Sequence, residues 1–124
     1  MTGARKGAIV LLGLRIAYGA GLIAAPTRLG RRWLGPAANA APTQVPLRAL
    51  GARETILHTG AIVAAVRGAP LRPWLAGSIA GDLTDLVATF AGRAELPKGS
   101  ATATLVVGGS SALLTAAAAA AVES

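Results

Sequence analysis

The sequence predicts an all-α fold, a bundle of four transmembrane helices forming a single domain over residues 1–124. Three observations predict it. Four apolar stretches, each close to the ~20 residues that cross a bilayer, make up most of the chain. Only 14% of the residues are charged, 53% are hydrophobic and the mean hydropathy is +0.58, whereas a soluble domain carries about 25% charged residues. Aromatics are 3%, so a water-excluding core would lack its usual large side chains. The apolar residues are mainly Ala, Leu, Val and Gly, which let helix backbones approach closely in lipid.

The first helix is expected from about residue 7 to 25, in GAIVLLGLRIAYGAGLIAA, and stops at Pro26. The preceding MTGARK gives it the basic start of a signal peptide. Arg15 interrupts the apolar run, however, and no A-x-A site precedes a polar mature start. An uncleaved first span is the expectation. The connection from Pro26 to Pro46 is the longest. Its first half, TRLGRRWLG, mixes Arg28, Arg31 and Arg32 with Leu29, Trp33 and Leu34. That suits a short interfacial segment with Trp33 at headgroup depth. Its second half, rich in Pro, Ala and Asn, reads as an extended linker.

The second helix is expected from about 47 to 66, with Pro46 just before it, where proline suits a helix start. RGAPLRP is a tight turn, so the second and third helices should be antiparallel neighbours. The third runs from about 73 to 91 and the fourth from about 101 to 122, with the polar turn GRAELPKGS between them. A soluble four-helix bundle would need a charged outer face on each helix. LVVGGSSALLTAAAAAAV contains no ionisable residue at all, so the sequence favours spans. The location expected is the cell membrane, multi-pass.

The net charge is +7, almost all from arginine. A basic balance first suggests nucleic acid. Arg28, Arg31, Arg32, Arg48, Arg67, Arg72, Arg93 and Lys98 fall between or beside the apolar stretches instead, where membrane proteins keep basic residues. The partners expected are the lipid bilayer and a second copy or another membrane protein, with no nucleic acid. The two loops bearing Arg28, Arg31, Arg32, Arg48, Arg93 and Lys98 lean towards the cytoplasm over the side with Arg5, Lys6, Arg67 and Arg72. There is no cysteine, which excludes disulfides, thiolate catalysis and cysteine metal sites.

The informative residues are ionisable ones inside apolar stretches: Arg15 in the first helix, Arg53, Glu54 and His58 in the second, Asp82 and Asp85 in the third. An unpaired charge in hydrocarbon costs roughly 2.5–3.5 kcal/mol on insertion scales, so these residues should pair inside the bundle or line a wet cavity. Helical positions three and four apart share a face. Glu54 and His58 are so spaced, as are Asp82 and Asp85, and Ser78, Asp82, Asp85 and Thr89 form one polar stripe. Arg15, Tyr18 and Gly19 share a face, and Gly19 would admit a second backbone. With the hairpin centred near residue 70, His58 and Asp82 each lie about 18 Å from the turn at 1.5 Å per residue. The expectation is one layer holding all six residues. Two arginines against three carboxylates leave it one proton short of neutrality, to be held by His58 or a carboxylate.

A metal would have to use Glu54, Asp82 and Asp85, an oxygen set suited to Mg²⁺ or Mn²⁺. Arg15 and Arg53 argue against it, and no phosphate-loop, dinucleotide, zinc-protease or serine-hydrolase pattern is present. No cofactor and no metal are therefore expected. Gly77-x-x-x-Gly81 and the run Gly108–Ala112 are expected to pack within the bundle or to mark a homodimer face. GLRIAYGAGLIAA and GARETILHTGAIVAA share a G-x-R at Gly13–Arg15 and Gly51–Arg53, an inverted repeat or a chance echo in a Gly/Ala-rich chain.

GARETIL followed by RPWLAGSIAGDLTDL resembles a group of small four-helix integral membrane proteins of unknown function common in actinobacteria. The likeness covers about residues 47–90, with weaker agreement at GLRIAYG, and His58 stands where that pattern has a small residue. The resemblance implies the fold and the location and adds no reaction. Three functions follow as expectations: a structural or partner-binding membrane protein, a proton- or cation-coupled carrier using Glu54, Asp82 and Asp85, or a membrane enzyme using those carboxylates as acid and base on a lipid-soluble substrate.

Overall fold

A computed structural model describing residues 1–122 is helical almost throughout, with no strand among those residues. Helix α1 spans Gly3–Ala24, α2 Pro26–Leu34, α3 Ala41–Val66, α4 Arg72–Ala91 and α5 Ser100–Ala121. Short 3₁₀ turns at Gly35–Asn39 and Arg93–Glu95 lie in the two longer connections.

Local chemistry explains the boundaries. Thr2 caps α1, its hydroxyl accepting the Arg5 N–H at 3.2 Å, and this carries the helix four residues further towards the N-terminus than the apolar run alone predicts. Pro26 ends α1, because the residue before a proline is pushed out of the helical region, and Ala25 accordingly sits at φ −138°. Pro26 then opens α2 at a position where a missing N–H costs nothing.

The expected extended linker is corrected. Its residues form the 3₁₀ turn Gly35–Asn39 and the first turns of α3, which starts at Ala41 and carries Pro46 inside it. Pro42 is the proline that starts this helix. Pro46 removes only the bond its own N–H would have given to Pro42 O, near the open end of a 26-residue helix.

The four long helices run alternately up and down, each antiparallel to the next. α1 packs most closely on α3 and α4 on α5, while the α1–α5 and α3–α4 contacts are sparser. The short hairpin therefore makes α3 and α4 neighbours without making them the tightest pair. Arg5 secures one end, donating to Ala65 O at 3.1 Å and Ala69 O at 2.9 Å. Arg72 donates to Ala119 O at 3.0 Å, and Val122 joins Ala8, Ala65, Leu71 and Leu75 in a small apolar cluster. Residue 122 and the N-terminus thus share the end that holds the α3–α4 turn. At the other end Trp33 Nε1 donates to Thr89 Oγ1 at 3.0 Å, and Ser100 Oγ donates to the Trp33 carbonyl, tying α2 to α4 and α5.

The tightest crossing is between α1 and α3. A Cβ on Gly19 would lie 2.8 Å from Gly51 O, and one on Gly51 would lie 2.5 Å from Gly19 O. Only two hydrogens allow these backbones to touch. Gly77 differs from its expectation: a Cβ there would meet nothing within 4 Å, and at Gly81 only the Arg53 guanidinium at 4.0 Å. Their role in close packing within the bundle is therefore withdrawn. They lie on a face of α4 that no other helix covers closely.

Large apolar side chains lie on the outside, and a polar group is buried beside the apolar core. Ile56 and Leu113 are 74% exposed, and Val10, Leu14, Val87, Val106 and Val107 are exposed with them. His58, Ser78, Asp82, Glu54, Arg15 and Thr115 are buried. Two helices, α1 and α5, are long and apolar enough to cross a membrane, with mean hydropathies of 1.8 and 1.6 over 18 residues. α3 and α4, which carry the charged pairs, fall short by composition.

Candidate functional site: a buried ion cluster

Arg15 lies midway along α1, one turn before Gly19, while Glu54 lies just under one turn after Gly51 on α3. The close crossing at the two glycines therefore carries Arg15 onto Glu54. Arg15 Nη2 donates to Glu54 Oε2 at 3.2 Å and to Asp82 Oδ1 at 2.5 Å. Nη1 donates to Asp82 Oδ2 at 2.7 Å and to Thr115 Oγ1 at 3.3 Å. The Asp82 contact is the two-pronged guanidinium–carboxylate geometry that charge-assisted bonding favours. One side chain on α1 thus reaches α3, α4 and α5 at once.

His58 extends the cluster along α3. Its Nδ1 is 2.6 Å from the Glu54 carbonyl oxygen and 3.2 Å from Glu54 Oε2. A carbonyl only accepts, so Nδ1 carries a hydrogen. Nε2 is 2.8 Å from Ser78 Oγ. A serine hydroxyl donates or accepts as it rotates, so the same heavy-atom positions serve a neutral or a protonated imidazole.

The expected single layer of six residues divides in two. Arg15, Glu54, His58 and Asp82 come together and are buried. Arg53 and Asp85 form a separate pair at 3.5 Å whose side chains are 50% and 31% exposed. Glu54 and Arg53 are adjacent on a helix and point about 100° apart, which sends one inward and the other out. The outer pair is formally neutral, so the charge imbalance of the expected layer falls on the inner cluster, where one arginine faces two carboxylates.

The hairpin register is corrected by the same geometry. His58 meets Ser78, and Glu54 stands level with Asp82 through their shared arginine. Both pairings are centred on Gly68. α3 ends at Val66 and Gly68 takes a positive φ of 70°, so the chain reverses about two residues earlier than the centre near residue 70 implies. The His58–Asp82 pairing is replaced accordingly.

Thr115, which accepts from Arg15, and Arg5, which donates to carbonyls at the end of α3, are buried polar contacts that the sequence did not single out. Thr115 sits four residues after Ser111, whose carbonyl its hydroxyl also bonds at 2.7 Å. That S-x-x-x-T spacing inside an otherwise apolar helix was the available signal. Arg5 looked like a flanking charge and is buried at the end of α3. Tyr18, expected on the Arg15 face, is largely exposed.

Among the described residues no buried side-chain nitrogen or oxygen lacks a hydrogen-bond partner. No three His, Asp or Glu residues among them stand close enough to hold a metal ion, and Arg15 fills the space between Glu54 and Asp82. A cleft of about 440 Å³ opens at the α2 end, lined by residues of α1, α2 and α3, and none of the cluster residues lines it. Comparison of the chain with protein-family models, with curated proteins and with solved structures finds no match.

Proposed function

We propose that the chain is a multi-pass membrane protein of four spanning helices, α1, α3, α4 and α5, in which the Arg15–Glu54–Asp82–His58 cluster fixes how the helices pack. The observation that carries this reading is the pairing of two features: large apolar side chains of α1, α3, α4 and α5 lie exposed, while Arg15, Glu54, His58 and Asp82 are buried together. Charged groups in lipid are tolerated when they face the bundle interior and pair with one another. α3 and α4 are too polar to insert alone and would be carried by Arg15, which pairs with both of their buried carboxylates and offsets half of that formal charge. The low burial of α5, 11% of its apolar window, argues against the core helix of a soluble protein. The protein would act through its apolar exterior, on lipid, a second copy or another membrane protein.

Membrane fractionation tests it. The full chain should stay in the membrane pellet after alkaline carbonate washing and be released by detergent. Recovery in the wash would overturn the membrane reading.

One observation favours a second reading, a proton-coupled carrier. The inner cluster holds a formal charge of −1 without an added proton, and His58 with Ser78 offers a place for it. Proteoliposomes would then show a proton flux that Asp82→Asn abolishes. Equal flux in wild type and variant leaves the structural role alone.

A further inference from the structure

We infer that the cleft at the α2 end binds the phosphate of an anionic lipid headgroup. Its walls come from the last residues of α1, the first turn of α2 and the early turns of α3, and they present Thr27, Arg28, Arg31, Gln44 and Arg48. Three arginines line one space of about 440 Å³, with no carboxylate among the lining residues. Nor is a carboxylate close in sequence, since the first acidic residue of the chain is Glu54.

The donors of these arginines are mostly unspent. Arg28 has no hydrogen-bond or ion-pair partner among the described residues. Arg31 makes one 3.3 Å bond to Asn39 Oδ1, and Arg48 uses only Nε, on Ile23 O at 3.3 Å. A guanidinium offers five N–H donors in a planar fork that matches phosphate oxygens. The wall is held in place by bonds of its own: Gln44 Nε2 donates to Thr27 Oγ1 at 3.1 Å, and Thr27 Oγ1 donates to Ala38 O at 3.2 Å.

The surroundings select a lipid as the source of the phosphate. The cleft lies at the end of apolar helices, where Ile23 and Val45 are exposed beside it in sequence. Two acyl chains could follow that apolar flank while the headgroup stays among the arginines. Basic pockets between helices at a membrane surface recognise anionic headgroups in this way. The inference rests on the membrane reading above.

The test is reconstitution of the full chain into nanodiscs of phosphatidylcholine and phosphatidylglycerol, followed by mild detergent release and native mass spectrometry. Phosphatidylglycerol should stay bound in preference to phosphatidylcholine. Its affinity should fall about fivefold for each of Arg28→Gln and Arg48→Gln. The double variant Arg93→Gln/Lys98→Gln removes two charges from the same end and should leave retention unchanged. Excess inorganic phosphate should not displace the lipid. Equal retention of the two lipids, equal loss in the Arg93/Lys98 control, or displacement by phosphate would each overturn the inference. A chain that fails to incorporate into nanodiscs at all refutes the membrane reading instead.

Discussion

Arg15 is the residue on which the interior depends. Removing one partner of a buried ion pair typically costs about 3–5 kcal/mol, because the other charges stay buried without compensation. Arg15→Met strands two carboxylates, so it should lower stability by about that much, read from detergent-denaturation curves followed by circular dichroism. Arg53→Gln breaks the half-exposed pair with Asp85 and should cost about 1 kcal/mol or less. Equal losses in the two variants would mean that the inner cluster is no more important than the outer pair. The chemistry of both sites was legible in the sequence, since charges inside apolar stretches stand out. Which charges share a site was not, because Arg53 and Glu54 are adjacent in the chain and part only when the helix turns. Thr115 escaped for another reason: a hydroxyl in an alanine-rich helix carries no charge to draw attention.

Among the elements, α1 and α3 define the bundle through the Gly19–Gly51 crossing. Gly51→Ala places a methyl group 2.5 Å from Gly19 O and 2.9 Å from Leu22 Cβ, and overpacking of this kind costs about 1–3 kcal/mol. Gly77→Ala meets nothing within 4 Å and should instead stabilise α4 by about 0.5–1 kcal/mol through lost backbone freedom. Thermal unfolding of the two variants in one detergent should move the midpoint in opposite directions. Both glycines lie in helices rich in small residues, and spacing alone does not distinguish them. The four long helices themselves were legible from apolar length, with ends displaced where a cap or a proline acts. Thr2 extends α1, and Pro42 rather than Pro46 starts α3. Hairpin register depended on one glycine, Gly68, whose positive φ moves the turn by two residues and exchanges the partner of His58.

The arrangement of the whole molecule places the N-terminus and the α3–α4 turn at one end, and α2 with the α4–α5 connection at the other. The chain has no cysteine, so single cysteines can be introduced against a blank background. In sealed vesicles, Gly68→Cys and Lys98→Cys should react with a membrane-impermeant maleimide from opposite sides. Labelling of both from one side would refute a four-span topology. All-helical architecture was legible from the four apolar stretches, and the exposed apolar side chains were foreshadowed by the low share of charged residues.

Synthesis runs from the N-terminus, so Arg15 is made before either carboxylate of the cluster, Glu54 or Asp82. On the membrane reading its guanidinium waits until Glu54 has been made, and its main partner Asp82 follows Arg15 by 67 residues. At 5–20 residues per second that interval is roughly 3–13 s. On that reading α1 is apolar enough to enter lipid, but its guanidinium has no carboxylate partner there until α3 and α4 arrive. On the membrane reading, a chain truncated between α3 and α4 should hold α1 in the bilayer less firmly than one that includes α4 and its Asp82.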